Sequence, residues 1–258
     1  MTLAARVDTD PRISRRRQAV ERSKRRRTLV RSIVVISIAF VTWSVFASPL
    51  LNVRHVQLAG ARHTTASEIS EAGRLGPGAN LLLLSTAEVA SRVETLPWVK
   101  SAQVERKLPG TVAVRVVERE PAMALSVGAA RWTVDGAGRV LTPGQVGDLP
   151  ILAGAEAGAV EEGERLEAPG LRGALRALAS MPRRLRERVV AAFAPSAERI
   201  SFSLDGGTLI RYGSAEQLVA KGAVAAAILE RVAATDAPVS YVDVRVPASP
   251  AAGGAPAE

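Results

Sequence analysis

Few residues in this chain could carry chemistry. Histidine occurs twice, as His55 and His63, and cysteine is absent. Without thiolates or a His-Glu-x-x-His spacing a zinc site lacks its ligands, so no metal is expected, and disulfides and cysteine nucleophiles are excluded. His55 falls in an extended segment and His63 in the turn after it, as surface or boundary histidines do. Carboxylates approach one another at Glu118/Glu120 and at Glu161-Glu162. Neighbours in a strand end or a loop have no set geometry for acid-base catalysis, and these read as solvated charges. No Gly-x-Ser-x-Gly elbow, Walker loop or complete Gly-x-Gly-x-x-Gly follows a strand, and Gly136-Ala137-Gly138 belongs to a hairpin turn. The expectation is a protein with no catalytic residues, no cofactor and no small-molecule substrate.

The remaining chemistry is that of recognition. Tyr241-Val242-Asp243-Val244-Arg245-Val246 alternates strictly, putting the three valines on one face and Tyr241, Asp243 and Arg245 on the other. As the last predicted strand it can lie at a sheet edge, with unpaired N–H and C=O groups open to another protein's strand. The bland reading, a closing core strand with buried valines, is compatible with that role.

Charge decides which partners to consider. The formal charge is +9, but residues 1–31 hold eleven Arg or Lys against Asp8, Asp10 and Glu21, a balance of +8 that leaves +1 for the other 227 residues. A main body so balanced has no long-range field to attract a polyanion. Residues 1–31 also contain no aromatic side chain for base stacking, so nucleic acid is not expected. Residues 1–31 instead read as a basic cytoplasmic tail that sets topology and touches anionic headgroups.

Ser32 to Leu51 is an uncharged run of twenty residues, enough to cross a hydrocarbon core about 30 Å thick. Arg25, Arg26, Arg27 and Arg31 precede it and Arg54 alone follows closely, which places the N-terminus in the cytoplasm. Trp43 and Phe46 suit the interfacial aromatic belt, so the anchor is framed by Ser32, Trp43, Phe46 and Leu51. Val45-Phe46-Ala47 has the small-residue spacing of a signal-peptidase site, but the long charged region before the run and Phe46 within the motif favour a retained anchor. The chain is therefore expected to be a single-pass type II protein of the inner membrane, with its bulk extracytoplasmic.

The elements that would position the recognition strand follow in two blocks. Residues 52–121 read β-α-α-β-β. A strand from Val53 stops at Gly60, a short helix follows Thr64-Thr65, and a second helix starts at the Ser85-Thr86-Ala87-Glu88 capping box and carries Val89, Val93 and Leu96 on one stripe. A hairpin then joins Val99–Lys107 to Thr111–Arg119 through Leu108-Pro109-Gly110. Residues 122–247 form a mixed β domain. It contains strands around the turn after Asp135, a mobile acidic loop from Glu156 to Glu167, and a helix with Leu171, Leu175 and Leu178 inward. The Ile200–Leu204 and Leu209–Tyr212 hairpin comes next, then a helix from Glu216 to about Ala234 with Leu218, Gly222, Ala225, Leu229 and Val232 as its stripe. Residues 248–258, rich in Pro, Ala and Gly, read as a disordered tail. The fold class is α+β, a transmembrane helix followed by two outer domains ending in an edge strand.

The element order, with Val56-x-Leu58-x-Gly60, Glu68-Ile69, Gly78-x-Asn80-Leu81, Leu96-Pro97-Trp98-Val99, Ala102-x-Val104-x-Arg106 and Glu118-Arg119-x-Pro121, resembles the POTRA domain of the FtsQ/DivIB family of bacterial cell-division proteins. Val134-Asp135-x-x-Gly138-x-Val140, Leu149-Pro150-Ile151-Leu152-x-Gly154 and Tyr241-Val242-Asp243-Val244-Arg245 extend the similarity to about Pro247. Leu108 departs from the aromatic residue usual before the hairpin proline. The resemblance implies a non-catalytic scaffold of the division septum that links cytoplasmic-side and extracytoplasmic division proteins and binds the FtsB and FtsL homologues. It implies contact through Tyr241, Val242, Asp243, Val244, Arg245 and Val246, supported by the preceding helix around Lys221. A POTRA-type chaperone or secretion component of the envelope is the alternative, but such proteins usually carry several POTRA repeats or a barrel, and one repeat is found here. A secreted hydrolase is a third, weakened by the missing catalytic set.

Overall fold

A computed structural model describes residues 29–41, 43–44, 51–76, 78–235 and 239–254. Phe46 and most of the basic tail lie outside these residues. Residues 29–41 are helical (α1), as are residues 43–44. Among the described residues no helix is long and apolar enough to cross a membrane, and residues 42 and 45–50 of the predicted span are not described.

Beyond α1 the order is β1 (His55–Ala59), α2 (Ala66–Gly73), α3 (Thr86–Val93), β2 (Val99–Lys107) and β3 (Thr111–Glu118), a three-stranded sheet in the order β1-β3-β2. This is the β-α-α-β-β pattern expected. Alternation in β3 buries Val112, Val114 and Val116, while Arg115 and Val117 face out. The reciprocal capping box falls one helix earlier than expected. Thr65 Oγ1 accepts from Glu68 N–H at 3.3 Å and Glu68 Oε2 accepts from Thr65 N–H at 2.7 Å. At α3 Ser85 Oγ accepts from Glu88 N–H at 3.3 Å, but the Glu88 carboxylate turns to Arg92, 2.9 Å away at i+4. Gly60 closes β1 with φ +86°, and a Cβ there would lie 2.1 Å from Val116 O, so only glycine fits.

The chain then builds one large sheet from β4 (Pro121–Val127), β5 (Ala130–Asp135), β6 (Val140–Pro143), β7 (Ile151–Ala153), β8 (Val189–Ser196), β9 (Arg199–Leu204), β10 (Leu209–Gly213), β11 (Tyr241–Asp243) and β12 (Ala251–Gly253). The spatial order is β12-β11-β10-β9-β8-β7-β4-β5-β6. Parallel neighbours need crossovers: α4 (Pro169–Ser180) and the short α5 (Arg183–Arg186) join β7 to β8, α6 (Leu218–Thr235) joins β10 to β11, and the β5–β6 hairpin lies between the parallel pair β4 and β7. The inward sides of the helices bury Leu171, Leu175, Leu178, Ala225 and Leu229 with Ile200, Phe202, Ile210 and Tyr212 of the sheet. The approach of α4 is close enough that a Cβ on Gly170 would sit 1.9 Å from Ala194 O.

Two expectations about loops fail. The acidic stretch before α4 is stitched to the β5–β6 hairpin: Val140 N–H donates to Glu164 O at 2.8 Å, Gly163 N–H to Val140 O at 2.9 Å and Leu166 N–H to Gly138 O at 2.9 Å, with Leu166 buried. These bonds cover the start of the β6 edge at Val140. The segment expected as a disordered tail forms β12 over Ala251–Gly253, because a turn closed by Ser249 N–H to Val246 O at 3.0 Å folds it back along β11.

Two compact units divide the chain. One takes residues up to His55 with Gly76–Leu84 and Arg106–Val112; the other takes Val56–Leu75, Ser85–Glu105 and Ala113–Glu258.

Candidate partner-binding site

The β10–α6–β11 crossover fixes the recognition segment. Leu209, Ile210 and Arg211 align in parallel with Tyr241, Val242 and Asp243. Leu209 N–H donates to Ser240 O at 2.9 Å and Val244 N–H to Arg211 O at 3.0 Å, so Val242 and Val244 turn their backbone groups toward β10, while Ser240 N–H donates the other way to Gly253 O at 3.2 Å. Tyr241 and Asp243 therefore turn theirs the other way, where β12 pairs antiparallel with Tyr241 opposite Gly253 and Asp243 opposite Ala251.

This corrects the sequence expectation. Tyr241–Val246 is not an edge strand: its regular part ends at Asp243, and it is flanked on both sides. The sheet edge belongs to β12, whose Ala252 backbone N–H and C=O point away from β11 by the same alternation. Val242 and Val244 are fully buried, whereas Val246, past the strand end and before Pro247, is 59% exposed and does not join them.

The outward side chains form a charged and aromatic row. The Arg211 guanidinium lies 4.4 Å from the Tyr241 ring centroid. Arg245 grips Asp243 with Nε at 3.0 and 2.9 Å from the two carboxylate oxygens and Nη2 at 2.7 Å. The Arg245 hydrogen bonds hold the Asp243 carboxyl below the usual range, against a smaller opposing effect of burial. Across the sheet, register aligns Asp243, Arg211, Ser201 and Phe193, with Phe193 half exposed. Arg211 and Phe193 were missed by sequence reasoning. Arg211 was legible from its phase, opposite to buried Ile210 and Tyr212, but its neighbours depend on strand order. On the other side of the edge, Val224, Ala227, Ile228, Arg231, Val232 and Thr235 of α6 and Ala252 of β12 line a largely apolar groove of about 420 Å³.

Lys221 does not belong to this surface. It is 2% exposed, and its ammonium donates to Ser214 O at 2.8 Å and approaches Ser214 Oγ at 3.3 Å, bracing the β10–α6 turn. Burial pushes its pKa down, opposed by the charge of Glu216. The signal was present: residue 221 follows Leu218 by three and precedes Ala225 by four on the buried stripe.

Of the residues first considered for catalysis, His63 and Glu118 meet. Glu118 Oε1 accepts from the N–H groups of Arg62, His63 and Thr64 at 2.9, 2.9 and 3.0 Å, while Oε2 lies 2.9 Å from His63 Nδ1. Burial alone would raise the pKa of this carboxyl, but His63 and the three amides outweigh it and hold it at about 2. The His63 ring stacks on Trp98 at 3.9 Å. This ties the β1–α2 turn to the end of β3 and leaves no free base. His55 is exposed, as are Glu161 and Glu162. Among the described residues no group of three His, Cys, Asp or Glu could hold a metal.

The chain is thus a β-α-α-β-β module leading into a mixed sheet with an open terminal edge. Residues 51–119 match the family of the POTRA domain, FtsQ-type. The chain is similar to the cell division protein FtsQ of Corynebacterium glutamicum, 26% identical over 79% of this chain and 90% of that protein. It is also similar to FtsQ of Anaeromyxobacter sp. (strain K), 34% identical over 66% and 59%, and of Streptomyces bingchenggensis, 28% identical over 89% and 87%. The matched stretch is thus little over half the length of some relatives and nearly all of others. Residues 51–119 carry an FtsQ-type POTRA domain, and the similarity to FtsQ cell-division proteins runs through most of the chain. Its relatives are named as cell-division proteins, which supports a non-enzymatic role in cell division.

Proposed function

We propose that the chain is a single-pass scaffold of the division complex that binds homologues of FtsB and FtsL at the septum. In this reading residues 1–31 are cytoplasmic, Ser32–Leu51 span the inner membrane, residues 52–121 are the POTRA domain and residues 122–247 the FtsQ-type β domain. The span is supported by the helix at 29–41 and 43–44, whose large apolar side chains, Ile33, Ile36, Phe40 and Trp43 among them, are all about half exposed or more, an arrangement unfavourable in water and suited to lipid.

The observation that carries partner binding is the open edge at β12 beside the row Tyr241, Asp243 and Arg245. A strand laid on β12 finds one outward N–H and C=O at Ala252, too little by itself. Its side chains on one face would reach the α6 groove, and those on the other would meet the charged row. Tyr241, Asp243, Arg245 and Val246 then contact the partner directly, while Val242, Val244 and Lys221 shape the surface from within. Pull-down of the membrane-extracted full chain with FtsB and FtsL homologues tests this. Ala252→Pro removes the outward donor without touching the β11 ladder, and Arg245→Glu reverses the row. Both are expected to weaken capture at least about tenfold, a loss of about 1.4 kcal/mol. Wild-type capture by both variants would refute the edge as the binding site, and uniform rather than septal staining of a fluorescent fusion would refute the assignment to the septum.

A further inference from the structure

Leu83 and Leu108 are 72% and 66% exposed, and both lie in the compact unit that also holds the residues directly after the predicted span. Backbone hydrogen bonds fix them there. Leu81 N–H donates to Leu51 O and Val53 N–H to Ala79 O, each at 2.8 Å, and Asn52 bridges antiparallel to Asn80. Leu83 and Leu84 then fold back onto Asn80 O at 3.2 and 3.0 Å. From the hairpin, Gly110 O accepts from Arg54 N–H at 2.8 Å and His55 N–H at 3.2 Å, and a Cβ on Gly110 would lie 2.9 Å from Asn52 O. Leu108 is two residues away, at most about 7.6 Å along the chain. Two apolar tips are thus tied to residues 51–55, where the chain leaves its uncharged run.

We propose that these two loops rest on the membrane, with Leu83 and Leu108 inserted among the lipid headgroups as a second point of attachment beside the span. The proposal rests on the membrane-span reading. Charge supports lipid over a protein partner. Residues 51–55, 78–84 and 106–112 contain Arg54, Arg106 and Lys107 and no Asp or Glu. Exposed Arg106 and Lys107 directly precede Leu108, so long cationic stems flank an apolar tip, a combination that suits phosphate above acyl chain. Such contact would hold the base of the first outer domain at a set height over the bilayer.

The chain has no cysteine, so Leu83→Cys, Leu108→Cys, Trp43→Cys and Val219→Cys each give a single labelling position on the full-length protein. Each is labelled with a polarity-sensitive fluorophore in nanodiscs of phosphatidylethanolamine and phosphatidylglycerol, with nitroxide on the headgroup or deep in the acyl chain. Labels at 83 and 108 are expected to shift to the blue and be quenched by the headgroup nitroxide, and the label at 43, within the span, to be quenched as well. The label at 219, which is 73% exposed in the other unit, should show neither effect. Water-like, unquenched emission at 83 and 108 with a quenched label at 43 overturns the proposal and leaves the span standing. Unquenched labels at all positions overturn both.

Discussion

Acid should release the turn that follows β1, by a definite amount and in a definite range. Glu118 is held at about 2 in the folded chain against 4.5 for a free side chain. Folding therefore favours its charged form, and the resulting stabilisation is fully present above about pH 4.5 and lost as pH falls through about 2. At 1.36 kcal/mol per unit, the interval between 4.5 and about 2 corresponds to about 3 kcal/mol at most. The side chain is only 10% exposed, so solvent screening leaves most of this, about 2–3 kcal/mol. Glu118→Gln keeps the shape but turns an NH2 group toward N–H donors. It should lower stability by about 2–3 kcal/mol at pH 7, with the gap closing to about 0.5 kcal/mol at pH 2. Urea unfolding of both proteins at pH 7, 5, 3 and 2, followed through Trp98, which stacks on His63, gives this difference with other titrations cancelled. A gap that stays constant across the range would refute the reasoning.

Substitutions at two further positions test the packing argument. Lys221→Ala should cost about 2–4 kcal/mol in thermal or urea unfolding, since it opens a cavity and strips the Ser214 carbonyl of its buried donor, and Lys221→Met should recover part of that loss; wild-type stability in the alanine variant would show that the ammonium braces nothing. Gly60→Ala should cost at least about 2 kcal/mol, because its φ of +86° and the 2.1 Å approach to Val116 O leave no room for a methyl group, and an unchanged melting temperature would contradict the β1–β3 geometry.

The sequence alone determined what local physics can determine. The uncharged run, the charge asymmetry around it, the β-α-α-β-β order, the valine alternation in β3 and the leucine stripe of α4 all depend on near neighbours and a fixed period. The absence of a thiolate or a nucleophile motif is likewise a property of the residue list. What the tertiary structure decided is which elements become neighbours. The exposed phase of Tyr241 and Asp243 was legible, yet their backbone is not free, because three residues of an Ala-Gly tail with little propensity of their own find a ladder ready beside them and close it. The family resemblance put Lys221 beside the contact surface, but its helical phase carries it into the core, where the Ser214 carbonyl lies within its reach. His63 and Glu118 are 55 residues apart and meet only because β3 returns alongside β1. Periodicity tells which way a side chain points; only the closed sheet tells what it points at and which backbone edge remains unpaired.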